Sequence, residues 1–505
     1  MRGDITFIKG TGSNRRVAAG QDYLSGLVLY TGTLPSGFTT TKNIIPFYSI
    51  VDAENAGIVN TYADETKASG SYTVSAVGAN GDTATVKVTE ADGAIVNFGT
   101  YTKVSGDTTV TKVGDAITLL INNGTNVHGY TASNNAGAVT ITARPSLGVS
   151  LNAGTPISVT LSAGATLAGT IVQFSAGVGS PLAMYHYHIS EFFRANPSGV
   201  LYVGIFPVPS TYTFTEITSV QNFADGLLRQ IGVFKDAVYA SADLTAIQAE
   251  VLANCDAKHK PVSVLYAANL KATADITAIA DVSTLTAYKT SSIIGQDGGG
   301  LGYHLYLSLG KSITNLGIAL GMLSKSAASE DFGQPIDKFN LSNGTENEIP
   351  AFANGQLVSY FTDTALDAID LKRHIFGMKY TGYSGTYFNE NHTSITVASD
   401  YAYINDNRVI DKAIRGIYSA LIPTLKGKLY KNADGTLISS TIAYLQTLAL
   451  QPLYQMERDT DLSVVSESDV YIDPTQNVNN GTLIINIVLN ENGIARNITV
   501  PISFK

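Results

Sequence analysis

The sequence has 505 residues, a formal net charge of -9 and a charged fraction of only 14%, so it can hold several domains and has a neutral, polar surface suited to burial against copies of itself. The acidic balance argues against a nucleic-acid-binding protein, which needs clustered Lys and Arg, and the single cysteine, Cys255, argues against a disulfide framework. No run of about 18 apolar residues occurs, so we expect no membrane span, and without an N-terminal secretory signal we expect assembly in a cytoplasm.

The first segment, residues 1–45, predicts two short strands separated by a polar stretch. Asp4–Ile8, which contains Ile5 and Phe7, is the first strand, and Leu24–Tyr30 is the second. The glycine pair between them lacks the strand and helix that a dinucleotide site requires. The pattern leaves two alternatives open: a local edge strand, or an arm that is exchanged with a neighbouring molecule.

Residues 46–180 predict an inserted all-β domain of the sandwich or barrel type. Short β-rich runs alternate with turn pairs such as Asn80-Gly81 and Asp92-Gly93, and helical periodicity is absent. The predicted strands include Thr108–Val110 and Ile117–Ile121 in the middle of this segment.

Residues 181–360 alternate strands and helices, which predicts an α/β domain with a mixed or largely parallel sheet. A short helix is predicted over His188–Gly199 and a strand over Val200–Val208. The spacing of Thr213 and Glu216 predicts a capping box, and a long helix is predicted over Gly302–Leu323.

Three features of this segment resemble ligand or catalytic sites but lack the complete pattern. Gly295–Gly302 lies where a phosphate loop would lie, yet Lys311 falls inside the predicted helix, away from its N-terminus. His186 and His188 alternate as on one strand face, without a third metal ligand at a suitable spacing, and Cys255 has no nucleophile signature around it. A cytoplasmic α/β enzyme with an inserted β domain stays an alternative, whereas a surface adhesin is disfavoured by the missing secretory signal.

Residues 361–505 predict a C-terminal domain that contains an amphipathic helix. Apolar residues from Val409 to Leu421 fall on one stripe of this helix, and Pro423 ends it. The opposite stripe carries charged side chains, for which a solvated face is the simplest interpretation: Arg408, Asp411, Lys412 and Arg415.

The end of the chain predicts a β-hairpin that follows a polar linker, Thr475–Gly481. The first strand is Leu483–Leu489, a turn follows at 490–493, and the final run alternates through Ile498, Val500, Ile502 and Phe504. A two-stranded hairpin alone is marginally stable in water. It therefore folds back onto its own domain, which the pattern alone favours, or it completes the sheet of a neighbour.

The stretches "YAYINDNRVIDKAIRGIYSALIPTLKGKLYKNADGTL" (Tyr401–Leu437), "LYQM" (Leu453–Met456) and "IDPTQNV" (Ile472–Val478) occur in this order in the C-terminal segment. In order and spacing they resemble the C-terminal domain of contractile tail sheath proteins of phages and related injection particles. The resemblance covers residues 375–505 well and the middle of the chain loosely.

This resemblance implies a structural protein of mixed α+β and α/β multidomain fold and not an enzyme. It implies a mixed-sheet core, an inserted β domain on the outer surface and terminal arms that exchange strands between subunits. Copies would form a helical homo-oligomer of hexameric rings in the tail of a virion, around a tail tube protein and between baseplate and tail terminator proteins. No cofactor and no nucleic acid are implied, and the sheath of a tailocin or other injection particle is an alternative to a phage tail.

The resemblance also implies roles for particular residues. The inter-subunit arm would comprise Leu483, Ile485, Ile487, Ile498, Val500, Ile502, Phe504, Ile5 and Phe7. The charged stripe Arg408, Asp411, Lys412 and Arg415 would face the tail tube.

Overall fold

A computed structural model describes residues 22–458 and 464–496 of the chain. The predicted strand Asp4–Ile8, with Ile5 and Phe7, lies outside the described residues. The final run with Ile498, Val500, Ile502 and Phe504 lies outside them as well.

The described residues form twenty-two β-strands, several of them only two residues long. In chain order they are β1 Leu24–Thr31, β2 Ile44–Phe47, β3 Ser69–Val77, β4 Thr83–Thr89, β5 Ile95–Thr102, β6 Thr131–Asn135, β7 Ala138–Thr142, β8 Ile157–Leu161, β9 Leu167–Ser175, β10 Val200–Pro207, β11 Gln230–Val238, β12 Ser263–Asn269, β13 Thr286–Ala287, β14 Thr290–Ile293, β15 Gly295–Asp297, β16 Pro350–Phe352, β17 His374–Ile375, β18 Gly377–Met378, β19 Tyr387–Phe388, β20 Ser394–Ile395, β21 Val465–Tyr471 and β22 Asn486–Glu491.

Eleven α-helices accompany these strands in the described part of the chain. They are α1 Ile50–Asn55, α2 Val110–Asn123, α3 Thr125–His128, α4 Pro181–Ala195, α5 Thr215–Phe223, α6 Ala242–Asn254, α7 Leu301–Leu309, α8 Leu316–Lys325, α9 Asp363–Leu371, α10 Ile404–Leu421 and α11 Ser439–Arg458. None of these helices is long and apolar enough to cross a membrane.

A seven-stranded sheet with the order β17-β14-β12-β11-β1-β10-β2 is the centre of the molecule. All neighbouring strands are parallel except β2, which is antiparallel to β10. Strand β1 is buried along its whole length, because Leu27 and Leu29 face a layer with α4 and α8, whereas Val28 and Tyr30 face a layer with α5 and α6. We call this sheet with its two helical layers the α/β body.

The position of β1 bears on the second strand predicted in the N-terminal segment. It hydrogen-bonds to β10 on one side and β11 on the other, so Leu24–Tyr30 is a central strand and not an edge strand or an exchanged arm. The sheet also includes β17, so the predicted domain boundary between residues 360 and 361 cuts through one sheet. The division into 1–45, 46–180, 181–360 and 361–505 stays a prediction.

An inserted β domain, residues 66–178, separates β2 from α4. It contains a four-stranded sheet, β6-β7-β3-β9, and a three-stranded sheet, β5-β4-β8, with a core of their own. The two ends of the domain meet, because Thr66 and Val178 exchange two backbone hydrogen bonds of 3.0 and 2.8 Å. Helix α2 occupies the positions predicted as the strands Thr108–Val110 and Ile117–Ile121, since its buried residues Val113, Ile117 and Ile121 recur every four residues.

Three further predictions in the α/β body are wrong. His186 and His188 belong to helix α4 and not to a strand, because Ser180 caps that helix and Pro181 begins it. The predicted capping box is absent, since Phe214 precedes α5 without a side-chain cap. The long helix over Gly302–Leu323 is two helices, because Gly310 takes a left-handed conformation after α7 (φ 66°).

Candidate assembly interface

The C-terminal unit, residues 404–496, is built on two long helices that pack against each other. The predicted apolar stripe of α10 is buried, with Val409, Ala413 and Ile417 in contact with a core that also contains Leu453 of α11. The helices approach closely, since a Cβ added at Gly416 would lie 2.6 Å from the Cβ of Pro452. A glycine is therefore required where a proline inside α11 meets α10.

A two-stranded antiparallel sheet, β21-β22, covers α11. Its register runs from Val465 opposite Glu491 to Tyr471 opposite Asn486. The predicted strand Leu483–Leu489 is therefore present in part as β22. Its partner in the described residues is β21, upstream of the linker, a strand that the predicted hairpin did not include.

The two faces of β22 differ in what they contact. Ile485, Ile487 and Leu489 are half-buried against the α11 core. Ile484 and Val488 point the other way and are 61% and 60% exposed. The arm prediction selected Leu483, Ile485 and Ile487, which in this chain face inward, and it missed the exposed pair. The run is apolar on both faces, so the alternation that usually marks the inner row was not visible.

The predicted polar linker, Thr475–Gly481, connects β21 with β22 and is held by many contacts. Val478 is buried and donates its backbone N–H to Gly435 (3.0 Å), and Asn477 donates its side-chain amide to the carbonyl of Asp434 (2.8 Å). The Gln476 amide accepts from the N–H of Ile484 (2.8 Å) and donates to its carbonyl (2.9 Å), as a paired strand would. The linker is thus part of the folded unit and not a free hinge.

After β22 the chain returns to the α/β body at Arg496, the last residue described. Its guanidinium donates to Asp331 (3.0 Å) and to Glu390 and lies over the ring of Tyr403, 3.4 Å from the ring centroid. Burial, together with the neighbouring Glu390, raises the pKa of Asp331 well above its usual value. These contacts fix the point from which the final residues leave the folded domain.

The charged stripe of α10 is not an exposed face. Arg408, Asp411 and Arg415 are buried, and the amine of Lys412 lies 3.2 Å from the Asp22 carboxylate. Helix α10 packs this stripe on the edge of the α/β body, so the expectation of a solvated face is wrong. The same burial argues against direct contact of these side chains with a tube.

The glycine-rich stretch Gly295–Gly302 does not leave an open phosphate site. Asp297 accepts from the N–H groups of Gly299 (3.1 Å) and Gly300 (3.0 Å), and Glu346 accepts from that of Leu301 (2.8 Å). Two carboxylates of the chain therefore lie at the N-terminus of α7, where an anion would bind. The amine of Lys311 is paired with Asp236, 2.8 Å away.

The histidines and the cysteine do not form a catalytic group. His188 is fully buried, which lowers its pKa to about 3, and His186 lies 3.0 Å from Glu54 at the periphery. Burial raises the pKa of the Cys255 thiol to about 11, so it is not an activated nucleophile. Among the described residues no group of three or more His, Cys, Asp or Glu side chains is placed to hold a metal ion.

Comparison with known proteins gives a family for nearly the whole chain. The model described as "DUF2586, N-terminal domain" matches residues 55–392, and "DUF2586, C-terminal domain" matches residues 400–505. No curated protein matches the chain. Two similar solved structures are the baseplate of the anti-feeding prophage (AFP), 14% identical, and the AFP helical sheath in the contracted state, 15% identical; each has a TM-score of 0.43 and covers 63% of this chain, and the match spans 80% and 81% of the respective AFP chains. Likeness at this level does not transfer a function. The matched residues 55–392 alone exceed half of the sequence, so this chain belongs to the DUF2586 family.

Proposed function

We propose that this chain is the structural subunit of a contractile tail sheath. Copies polymerise as stacked rings around a tail tube, and contraction drives the tube through the envelope of the target cell. The subunit needs no cofactor for this role. A phage tail is the preferred setting, and a tailocin or other injection particle would use the same assembly.

The observation that carries the proposal is the unfinished sheet β21-β22. It has only two strands in the described part of the chain, so each strand has one edge without a strand partner there. Ile484 and Val488 present an apolar outer face beside these edges. A third strand from a neighbour would add several backbone hydrogen bonds, each worth about 1 kcal/mol net, in the manner of β-augmentation.

The sheath resemblance supports the same part of the molecule. Two of its stretches, Tyr401–Leu437 and Ile472–Val478, meet in the fold, since Thr436 forms a β-bridge with Asn477 and Gly435 accepts from Val478. The resemblance thus falls on one folded unit and not on scattered segments. That unit presents the incomplete sheet.

Contraction would then be a rigid-body movement between linked subunits. The α/β body and the inserted β domain each have their own core, so both can rotate as units while strand pairing between neighbours persists. Packed interfaces have discrete arrangements, which suits a metastable extended state that converts ring by ring. No described residue favours the enzyme alternative, because its best candidate loop carries the chain's own carboxylates.

Electron microscopy of the purified chain and of two matched variants tests the proposal. Val488→Lys places a charge on the outer face of β22 and is compatible with the fold, because Val488 lies opposite Asp469. Val127→Lys is the control, since Val127 is 92% exposed on the inserted β domain. A third variant ends after Arg496 and removes the final residues without removing β22, which covers the core of α11.

We expect tubes or ring stacks from the full-length chain and from Val127→Lys, and their loss in Val488→Lys and in the shortened chain. Tubes from all four proteins would keep the sheath but contradict the role of the C-terminal sheet. A monodisperse monomer of the full-length chain at high concentration would overturn the proposed function.

A further inference from the structure

An unusual excess of positive charge is buried where α10 packs on the α/β body. Five cationic side chains and three carboxylates meet there: Arg229, Lys289, Arg408, Lys412 and Arg415 with Asp22, Asp256 and Asp411. The group thus carries two more positive than negative formal charges. Buried charges are costly unless they are paired, so the excess requires compensation.

The hydrogen bonds of two arginines do not supply that compensation. The guanidinium of Arg408 donates to the hydroxyl and carbonyl of Ser326 and to the carbonyl of Ala327, at 2.7 to 3.2 Å. The Nη2 of Arg415 donates to the carbonyls of Leu228 (3.0 Å) and Pro261. These acceptors are neutral, so they satisfy donors without cancelling charge. The carboxylates of Asp22 and Asp411 pair instead with Lys412 and Lys289.

Arg415 has donors left over in this buried position. Its side chain belongs to a residue that is only 6% exposed, and neither Nε nor Nη1 has a hydrogen-bond partner. Burial lowers the pKa of Arg415 to about 10, although the nearby Asp411 opposes this shift. Burial and repulsion from Arg415 lower the pKa of Arg229 well below its usual value.

A small cavity lies among these groups. Its volume is about 10 Å³, and its lining is formed by Asp22, Arg229, Pro261, Arg408, Asp411, Lys412 and Arg415. A space of this size is at the lower limit for one water-sized species. It excludes phosphate, sulfate or a carboxylate-bearing metabolite, and it is compatible with a monatomic ion.

We propose that this cavity binds one halide ion, chloride under ordinary conditions, between Arg415 of α10 and Arg229 of the α/β body. The ion would accept the free donors of Arg415 and offset the excess positive charge. Because cations on both sides of the domain contact would share it, chloride would strengthen the attachment of the C-terminal unit. This site is independent of the proposed sheath function, since it lies inside one subunit.

Thermal unfolding of the full chain at constant ionic strength tests the site, with sodium chloride replaced stepwise by sodium gluconate, whose anion is too large for the cavity. A ligand that binds only the folded state raises the unfolding temperature logarithmically with its concentration. We expect such a rise with chloride and with bromide. Unfolding temperatures that are equal in chloride and gluconate would overturn the proposal.

Two variants and one direct measurement locate the ion. Arg415→Gln should lose the halide dependence, whereas Arg144→Gln should keep it, because Arg144 is a control arginine already paired with Glu90 (2.6 Å). Arg415→Lys, which keeps the charge, should retain only a weakened dependence and serves if Arg415→Gln does not fold. A bromide anomalous peak at the cavity of the unaltered protein would support the site directly, and its absence at saturating bromide would contradict it.

Discussion

The inserted β domain and the C-terminal unit differ in how completely each closes its own structure. The inserted β domain has one core of twenty buried hydrophobic residues, and its two sheets have three and four strands. The C-terminal unit divides its buried hydrophobic residues between clusters of eleven and four, and one of the eleven, Ala328, comes from the α/β body. Its sheet has two strands, so this unit depends on neighbouring structure where the inserted domain does not.

The way each region is attached follows the same contrast. The inserted β domain is joined at the backbone pair between Thr66 and Val178, so its interior is independent of the body. The C-terminal unit is attached through the buried stripe of α10 and through Arg496. A self-contained domain suits a peripheral addition, whereas an incomplete and firmly attached unit suits transmission of force between subunits.

The largest expected effect compares two equivalent core truncations. Leu453→Ala and Ile117→Ala each remove a fully buried side chain and should lower the local free energy of unfolding by about 2–5 kcal/mol. Leu453 contributes to the small core beneath β21-β22, so its loss should also abolish ordered assemblies in electron micrographs. Ile117→Ala should leave assembly unchanged. Equal effects of both variants on assembly would contradict the contrast between the two regions.

A titration inside the α/β body separates its stability from that of either attached region. Burial, reinforced by Asp297, raises the pKa of Glu346 from 4.5 to about 7. The folded state therefore holds this proton more tightly than the unfolded chain, and the stabilisation is complete below pH 4.5 and is lost as the pH rises through 7. Since the side chain is only half-buried, we expect a change on the order of 1 kcal/mol. Urea unfolding at pH 5 and pH 8 should show this change in the unaltered protein and not in Glu346→Gln; identical pH dependence in both would refute it.

The smallest effect should come from removing the inserted β domain altogether. Residues 67–177 can be replaced by a short Gly-Ser turn, because Thr66 and Val178 are already paired. The remaining chain should lose no more than about 1 kcal/mol, since a short closed loop costs little entropy, and the excised domain should give a dispersed NMR spectrum by itself. Calorimetry of the shortened chain measures the loss, and failure of either piece to fold would show that the domain is not self-contained.

The sequence was informative wherever a single periodicity decided the structure. The stripe from Val409 to Leu421 predicted α10, and the alternation of strands and helices predicted the mixed α/β body. It was misleading where two periods compete over a short range. Ile117–Ile121 is apolar enough for a strand, yet positions four apart in Val113, Ile117 and Ile121 bury one face of a helix against a sheet.

What the sequence by itself determined, then, are the features that depend on neighbours along the chain: the periods of its helices and strands, its low charge and its turn residues. Only the tertiary structure decided which of the chemically similar side chains are buried. It turned the charged stripe of α10 inward, made Leu24–Thr31 a central strand, and exposed Ile484 and Val488 while covering Ile485 and Ile487. The physical reason is that burial depends on contacts between segments distant in the sequence, and a pattern of polarity within one segment does not contain the position of its partner.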